Sequence, residues 1–144
     1  MGTMEFNKIL VPVMGSQADD EAMRLACWLA KKSKAKIWAV YVVAVKRSLP
    51  LGAEISADIV QAEDILDRAE KVAEEEDYEV ETDVLQAREV GPAIVDEAVE
   101  RDADLILMAI PYKRRFGQFS LGTVAPYVLT NAPCRIILYR EPTR

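Results

Sequence analysis

At 144 residues and 51% hydrophobic, the chain has enough apolar material for one compact core and too little length for two ordinary ones, so residues 1–144 read as a single domain. A formal net charge of −6 excludes the broad basic face that neutralising nucleic-acid phosphates requires. The complete absence of histidine removes His-based triads, His-ligated zinc sites and the commonest general base near neutral pH.

No apolar run approaches the roughly 18 residues that span a bilayer, and the start, Met1-Gly2-Thr3-Met4-Glu5-Phe6, has no signal-peptide core. The expectation is a cytoplasmic protein with no membrane insertion. Cys27 and Cys134 fall within helix and strand patterns and read as small buried hydrophobes, with no metal implied. Trp28 and Trp38 likewise read as core packing positions of a helix and a strand.

In chain order, Lys8-Ile9-Leu10-Val11-Pro12-Val13 is a short apolar strand. Gly15-Ser16 turns it into a helix with Ala22, Leu25, Ala26, Leu29 and Ala30 at helical spacing. The acidic residues Asp19-Asp20-Glu21 fit the first turn of that helix, where negative charge suits the dipole. The nearly continuous apolar run Lys36–Val43 suits a strand buried on both faces of a parallel sheet. A second helix shows Ile59, Ala62, Leu66, Ala69 and Ala73 on one stripe and ends in Glu74-Glu75-Glu76-Asp77. Residues Tyr78–Leu85 alternate as an edge strand with one wet face. Pro92 opens a third helix, Asp104–Ala109 forms a fourth strand, Val124, Tyr127 and Val128 mark a last helix, and Arg135–Tyr139 a last strand. Five strands alternating with four helices specify an α/β layer fold with a mainly parallel sheet and right-handed crossovers.

Three stretches together resemble the universal stress protein family. Lys8-Ile9-Leu10-Val11-Pro12-Val13-Met14-Gly15-Ser16 is similar to its opening I-L-V-P-V-D-G-S. Asp102-Ala103-Asp104-Leu105-Ile106-Leu107-Met108 is similar to its G-A-D-L-I-V-M strand. Gly122-Thr123-Val124, Tyr127-Val128-Leu129 and Ala132-Pro133-Cys134 follow its closing G-S-V, Y-V-L and A-P-C. The resemblance covers nearly the whole chain. It implies a three-layer, open, doubly wound α/β sheet of the adenine nucleotide alpha hydrolase-like kind, five strands in order 3-2-1-4-5, with a nucleotide cleft at the carboxyl ends of strands 1 and 4. It also implies a homodimer in which the last strand, with Ile136, Ile137 and Leu138, pairs with its twin and removes an exposed apolar edge.

Family members that bind ATP carry G-x2-G-x9-G-(S/T) after strand 4 and an Asp at the end of strand 1. Counted back from Gly122-Thr123, the first two glycine positions are Ala109 and Tyr112, and the strand 1 Asp position is Met14. Pro111 removes one further N–H donor, and a thioether cannot replace a carboxylate at a hydroxyl or a metal ion. The expectation is a noncatalytic, stress-related regulatory or interaction module that has lost ATP binding in the usual family manner. The candidate cleft comprises Pro12, Val13, Met14, Val42, Ala109, Lys113, Arg114, Arg115, Gly122 and Thr123. An alternative stays open: a sensor of ATP, AMP or a related nucleotide in which Lys113, Arg114 and Arg115 supply the charge that the missing glycines do not. Against it, the same three residues read as a solvated loop tip, and Gly122 and Thr123 as a turn and a helix start.

Overall fold

A computed structural model describes residues 4–51, 56–112, 114–115 and 118–143. The elements are β1 (Lys8–Pro12), α1 (Ala18–Ala30), β2 (Lys36–Ala44), α2 (Ser56–Glu75), β3 (Glu81–Ala87), α3 (Val90–Glu100), β4 (Leu105–Ile110), β5 (Arg114–Arg115), β6 (Gln118–Phe119), α4 (Val124–Asn131) and β7 (Arg135–Arg140). The main sheet is parallel throughout, in order β3-β2-β1-β4-β7. This is the 3-2-1-4-5 order, with β7 as its fifth strand. β5 and β6 are a separate antiparallel pair, Arg114 opposite Phe119 and Arg115 opposite Gln118, where the sequence suggested only loop.

The two-residue period of the strands decides which side chain meets which helix layer. Ile9, Val11, Val13, Ile37, Ala39, Leu105, Leu107 and Ala109 pack on one face with Ala22, Met23, Ala26 and Cys27 of α1 and Leu66, Ala69 and Ala73 of α2. Leu10, Val40, Val42, Ile106 and Met108 pack on the other with Ile94, Val95 and Ala98 of α3 and Val128 of α4. Small residues dominate the core side of α1, so that helix lies close against the sheet.

Two local anchors set the register. Asp104 accepts the backbone N–H of Asn7 at 2.8 Å and of Lys8 at 3.2 Å, while its own N–H donates to the Lys8 carbonyl at 2.9 Å. This clamps the start of β1 against β4. On β2, the Trp38 indole N–H donates to Glu81 at 2.8 Å, and the ring lies between the cations of Lys36 and Arg101, 5.4 and 5.2 Å from its centre.

The third strand starts later than its alternation suggested. Asp77 ends α2's connection in a left-handed conformation (φ 57°), and the Tyr78 hydroxyl then donates to the Ala35 carbonyl. That bond and packing against the α1/α2 core hold Tyr78 outside the ladder, which opens only at Glu81 opposite Trp38.

Trp28 departs from the core position expected of it, being 67% exposed. The face of α1 that meets the sheet is filled by Ala22, Met23, Ala26, Cys27 and Ala30, and Trp28 falls about 100° round the helix from Cys27. Cys27 is buried as expected and Cys134 only half-buried.

Leu107 is fully buried in the interior strand β4. Leu107→Ala is expected to cost about 3 kcal/mol in urea unfolding, within the range for leucines whose cavity cannot collapse. A loss below about 1 kcal/mol would contradict so rigid a core.

Candidate functional site

β1 pairs with β2 along its whole length, Lys8 to Pro12, and Val13 extends the bond by donating its N–H to the Val40 carbonyl at 2.9 Å. Its pairing with β4 stops at Leu10 opposite Ile106. Backbone N–H groups alternate sides along a strand, so if Val13 points toward β2, position 12 points toward β4. Proline has no N–H to offer there. Pro12 therefore stands where the sheet parts, with β1 leaving β4 at the point where the strand order reverses, the usual place for a ligand crevice in such sheets.

Past the carboxyl ends of β1 and β2 is a hollow of about 330 Å3 lined by Met14, Tyr41, Val42, Val43, Ala44, Asp58 and Val90. Met14 and Val42 both line it. Met14 is 39% exposed, and Pro12 and Val13 are buried behind it. Ala109 is buried within the β4–β7 ladder opposite Tyr139. Gly122 (φ 71°) turns into α4 with open space where a Cβ would lie, and its N–H donates to Ser120 Oγ at 3.2 Å. Thr123 is the N-cap residue, with no capping bond from its side chain. Lys113 lies outside the described residues; Arg114 and Arg115 carry the backbone pairing of β5 with β6.

The residues missed by sequence reasoning are mostly acids. Asp58 reaches the hollow from the first turn of α2, a placement that only tertiary packing decides. Asp19 does not cap its own helix. Its carboxylate reaches back and accepts the N–H groups of Met14 at 3.1 Å, Gly15 at 2.8 Å and Ser16 at 3.2 Å. Gly15, at φ 91°, supplies the positive φ that lets three successive N–H groups converge on one oxygen. Its neighbour Asp20 pairs instead with Arg68 of α2, Nη2 lying 2.6 Å from Oδ2.

A second carboxylate acts similarly on the other side of the parting. The Tyr112 N–H donates to Glu141 Oε1 at 2.8 Å, Glu141's own N–H donates to the Ile110 carbonyl at 3.1 Å, and the Arg140 guanidinium lies 5.1 Å from the Tyr112 ring centre. The start of the loop after β4 is thereby tied to the segment that follows β7.

A five-stranded parallel sheet wound on both faces and parted at β1/β4 defines a doubly wound α/β protein with its crevice at the carboxyl ends of the strands. The universal stress protein family profile matches residues 5–140. The chain is 31% identical over 145 residues to universal stress protein MJ0531 of Methanocaldococcus jannaschii, covering 96% of this chain and 85% of that protein. Among solved structures, a universal stress protein from Archaeoglobus fulgidus superposes with a TM-score of 0.78 at 26% identity over 92% of this chain and 97% of its own. The universal stress protein from Archaeoglobus fulgidus in complex with dAMP gives 0.74 at 27% over 94% and 98%. The chain belongs to the universal stress protein family.

Burial pushes the Asp19 carboxyl above the ordinary aspartate value; the N–H donors of Gly15, Met14 and Ser16 pull against that shift, and the charge of Asp20 adds to it. A carboxyl whose folded value is raised binds its proton more tightly in the folded state. Its ionisation therefore works against stability as pH rises through the carboxylate range. What the loop needs from residue 19 is an acceptor more than a charge. Asp19→Ala should cost about 2 kcal/mol by orphaning the loop N–H groups, whereas Asp19→Asn should stay within about 1 kcal/mol of the parent at pH 7. Equal losses in the two variants by chemical denaturation would contradict this assignment.

Proposed function

We propose that this protein is a noncatalytic universal stress protein acting as a regulatory or interaction module in the cytoplasm, a homodimer of one 144-residue domain whose cleft does not hold ATP in the usual family manner. The observation that carries the reading is the internal occupation of loop donors at the carboxyl edge of the sheet. Asp19 takes the N–H groups of residues 14–16 and Glu141 takes that of Tyr112. A phosphate entering there meets two carboxylates and has to displace bonds already made, at a cost in both Coulomb energy and lost acceptors. Met14 in place of an aspartate removes the group that would reach a ribose hydroxyl or a metal ion. The absence of histidine favours binding or signalling over turnover.

Dimerisation is supported by β7. Among the described residues its only strand partner is β4, and Ile136, Ile137, Leu138 and Tyr139 are only half-buried along it. An apolar edge of this kind is a liability unless paired.

A nucleotide sensor is the second reading, favoured by the dAMP complex of the Archaeoglobus relative and by the open space around Gly122. Differential scanning fluorimetry with ATP plus Mg²⁺, AMP and dAMP at millimolar concentration separates the two. The proposal expects no shift in melting temperature with Mg-ATP for the parent chain and a gain in a Met14→Asp, Tyr112→Gly double variant. A ligand that binds only the folded state at 100 times its Kd stabilises by about 2.7 kcal/mol, enough to see. A clear shift of the parent with Mg-ATP contradicts the proposal, and one confined to AMP or dAMP selects the sensor. Sedimentation equilibrium at micromolar concentration should give about twice 16.1 kDa; a single species at the monomer mass contradicts the dimer.

A further inference from the structure

The pole of the molecule opposite the cleft carries an apolar surface that the fold does not use. Strands run from that pole toward the cleft and α1 runs back, so the end of α1 lies beside the residues that precede β1. There Met4, Phe6, Trp28, Leu29, Lys31 and Lys32 line a hollow of about 360 Å3. Phe6 is its buried floor, while Trp28 and Met4 are 67% and 62% exposed. A tryptophan standing in water beside a second large apolar side chain is an uncommon surface feature of a monomer and a frequent centre of protein interfaces.

The charge around it is one-sided. Every ionisable residue lining the hollow is a lysine, in a chain of net charge −6. Lys31 and Lys32 are exposed, and neither takes part in an ion pair among the described residues. Their place at the end of α1 suits the helix dipole, which accounts for positive charge there but not for an exposed indole beside it.

We infer that this hollow is a docking site for a protein segment that presents a large apolar side chain flanked by carboxylates, such as one face of an acidic amphipathic helix. The apolar side chain would lie on Phe6 against Trp28 and Leu29, with the carboxylates on Lys31 and Lys32. Concavity favours an inserted side chain over a flat lipid surface. The overall negative charge also repels an anionic bilayer, whereas a short segment meets mainly the local lysines within a Debye length of about 8 Å. Because the site lies at the far pole, a partner held there leaves the cleft uncovered.

The test uses the full chain and a fluorescein-labelled synthetic peptide with leucines at i, i+3, i+4 and i+7 and glutamates between them, read by anisotropy. Trp28 emission is the site-specific reporter, since the only other tryptophan, Trp38, is buried and bonded to Glu81. Saturable binding with a blue shift is expected, weakened by salt. Trp28→Ala is expected to weaken it at least about tenfold, and the Lys31→Gln, Lys32→Gln pair by about tenfold. All three positions are exposed, so unchanged thermal melts of the variants serve as the folding control. No saturable binding, or equal binding of a peptide with lysines in place of the glutamates, overturns the inference. So does a blue shift produced by phosphatidylglycerol vesicles but not by the peptide, which would assign the surface to membrane, or one that grows with protein concentration alone, which would assign it to a second copy.

Discussion

Backbone N–H groups at the carboxyl edge of a parallel sheet have no further strand to bond, and each must find water, a ligand or a side chain. Among the described residues, two side chains take that role directly after β1 and β4. Asp19 gathers the turn after β1 and Glu141 takes the first loop N–H on the far side of the parting. Both are carboxylates, so the donors that make such edges attractive to phosphate are spent on the protein's own acids. On the proposed function, the cleft keeps its shape while these acids answer its donors.

The shape itself depends on the middle of the sheet. β1 is held to β4 at its start by Asp104, which binds the N–H groups of Asn7 and Lys8, and is released from it after Leu10, where Pro12 has no donor to continue. Rigid packing on both faces then fixes where Met14 and Val42 emerge. Asp58, arriving from α2, adds a carboxylate to the hollow they share, which Tyr41 also lines. A carboxylate in that lining suits a neutral or cationic group better than a phosphate.

Much of this was legible in the chain because it rests on short-range periodicity. Strand alternation and helical stripes located the elements of the main sheet, and the family resemblance implied their order. Met14, Ala109 and Tyr112 could be singled out because they interrupt a motif at fixed spacing. What escaped were contacts made across long sequence distances. Glu141 lies 29 residues from Tyr112, and nothing local marks it as an acceptor for that loop. Asp19 resembled an ordinary first-turn acid, yet a left-handed Gly15 folds the turn back onto it. Trp28 was misplaced because an aromatic residue near a helical stripe reads as core, and only the small residues packed beneath α1 reveal that the sheet-facing side is already full.

The central claim is that the loop donors of the cleft are internally satisfied, and it is tested most directly by amide hydrogen exchange resolved by NMR at Met14, Gly15, Ser16 and Tyr112, with and without Mg-ATP. The account predicts that these four amides are protected in the ligand-free protein and that neither their exchange nor their chemical shifts respond to millimolar nucleotide. Rapid exchange in the free protein, with protection gained only when ATP is added, would contradict it.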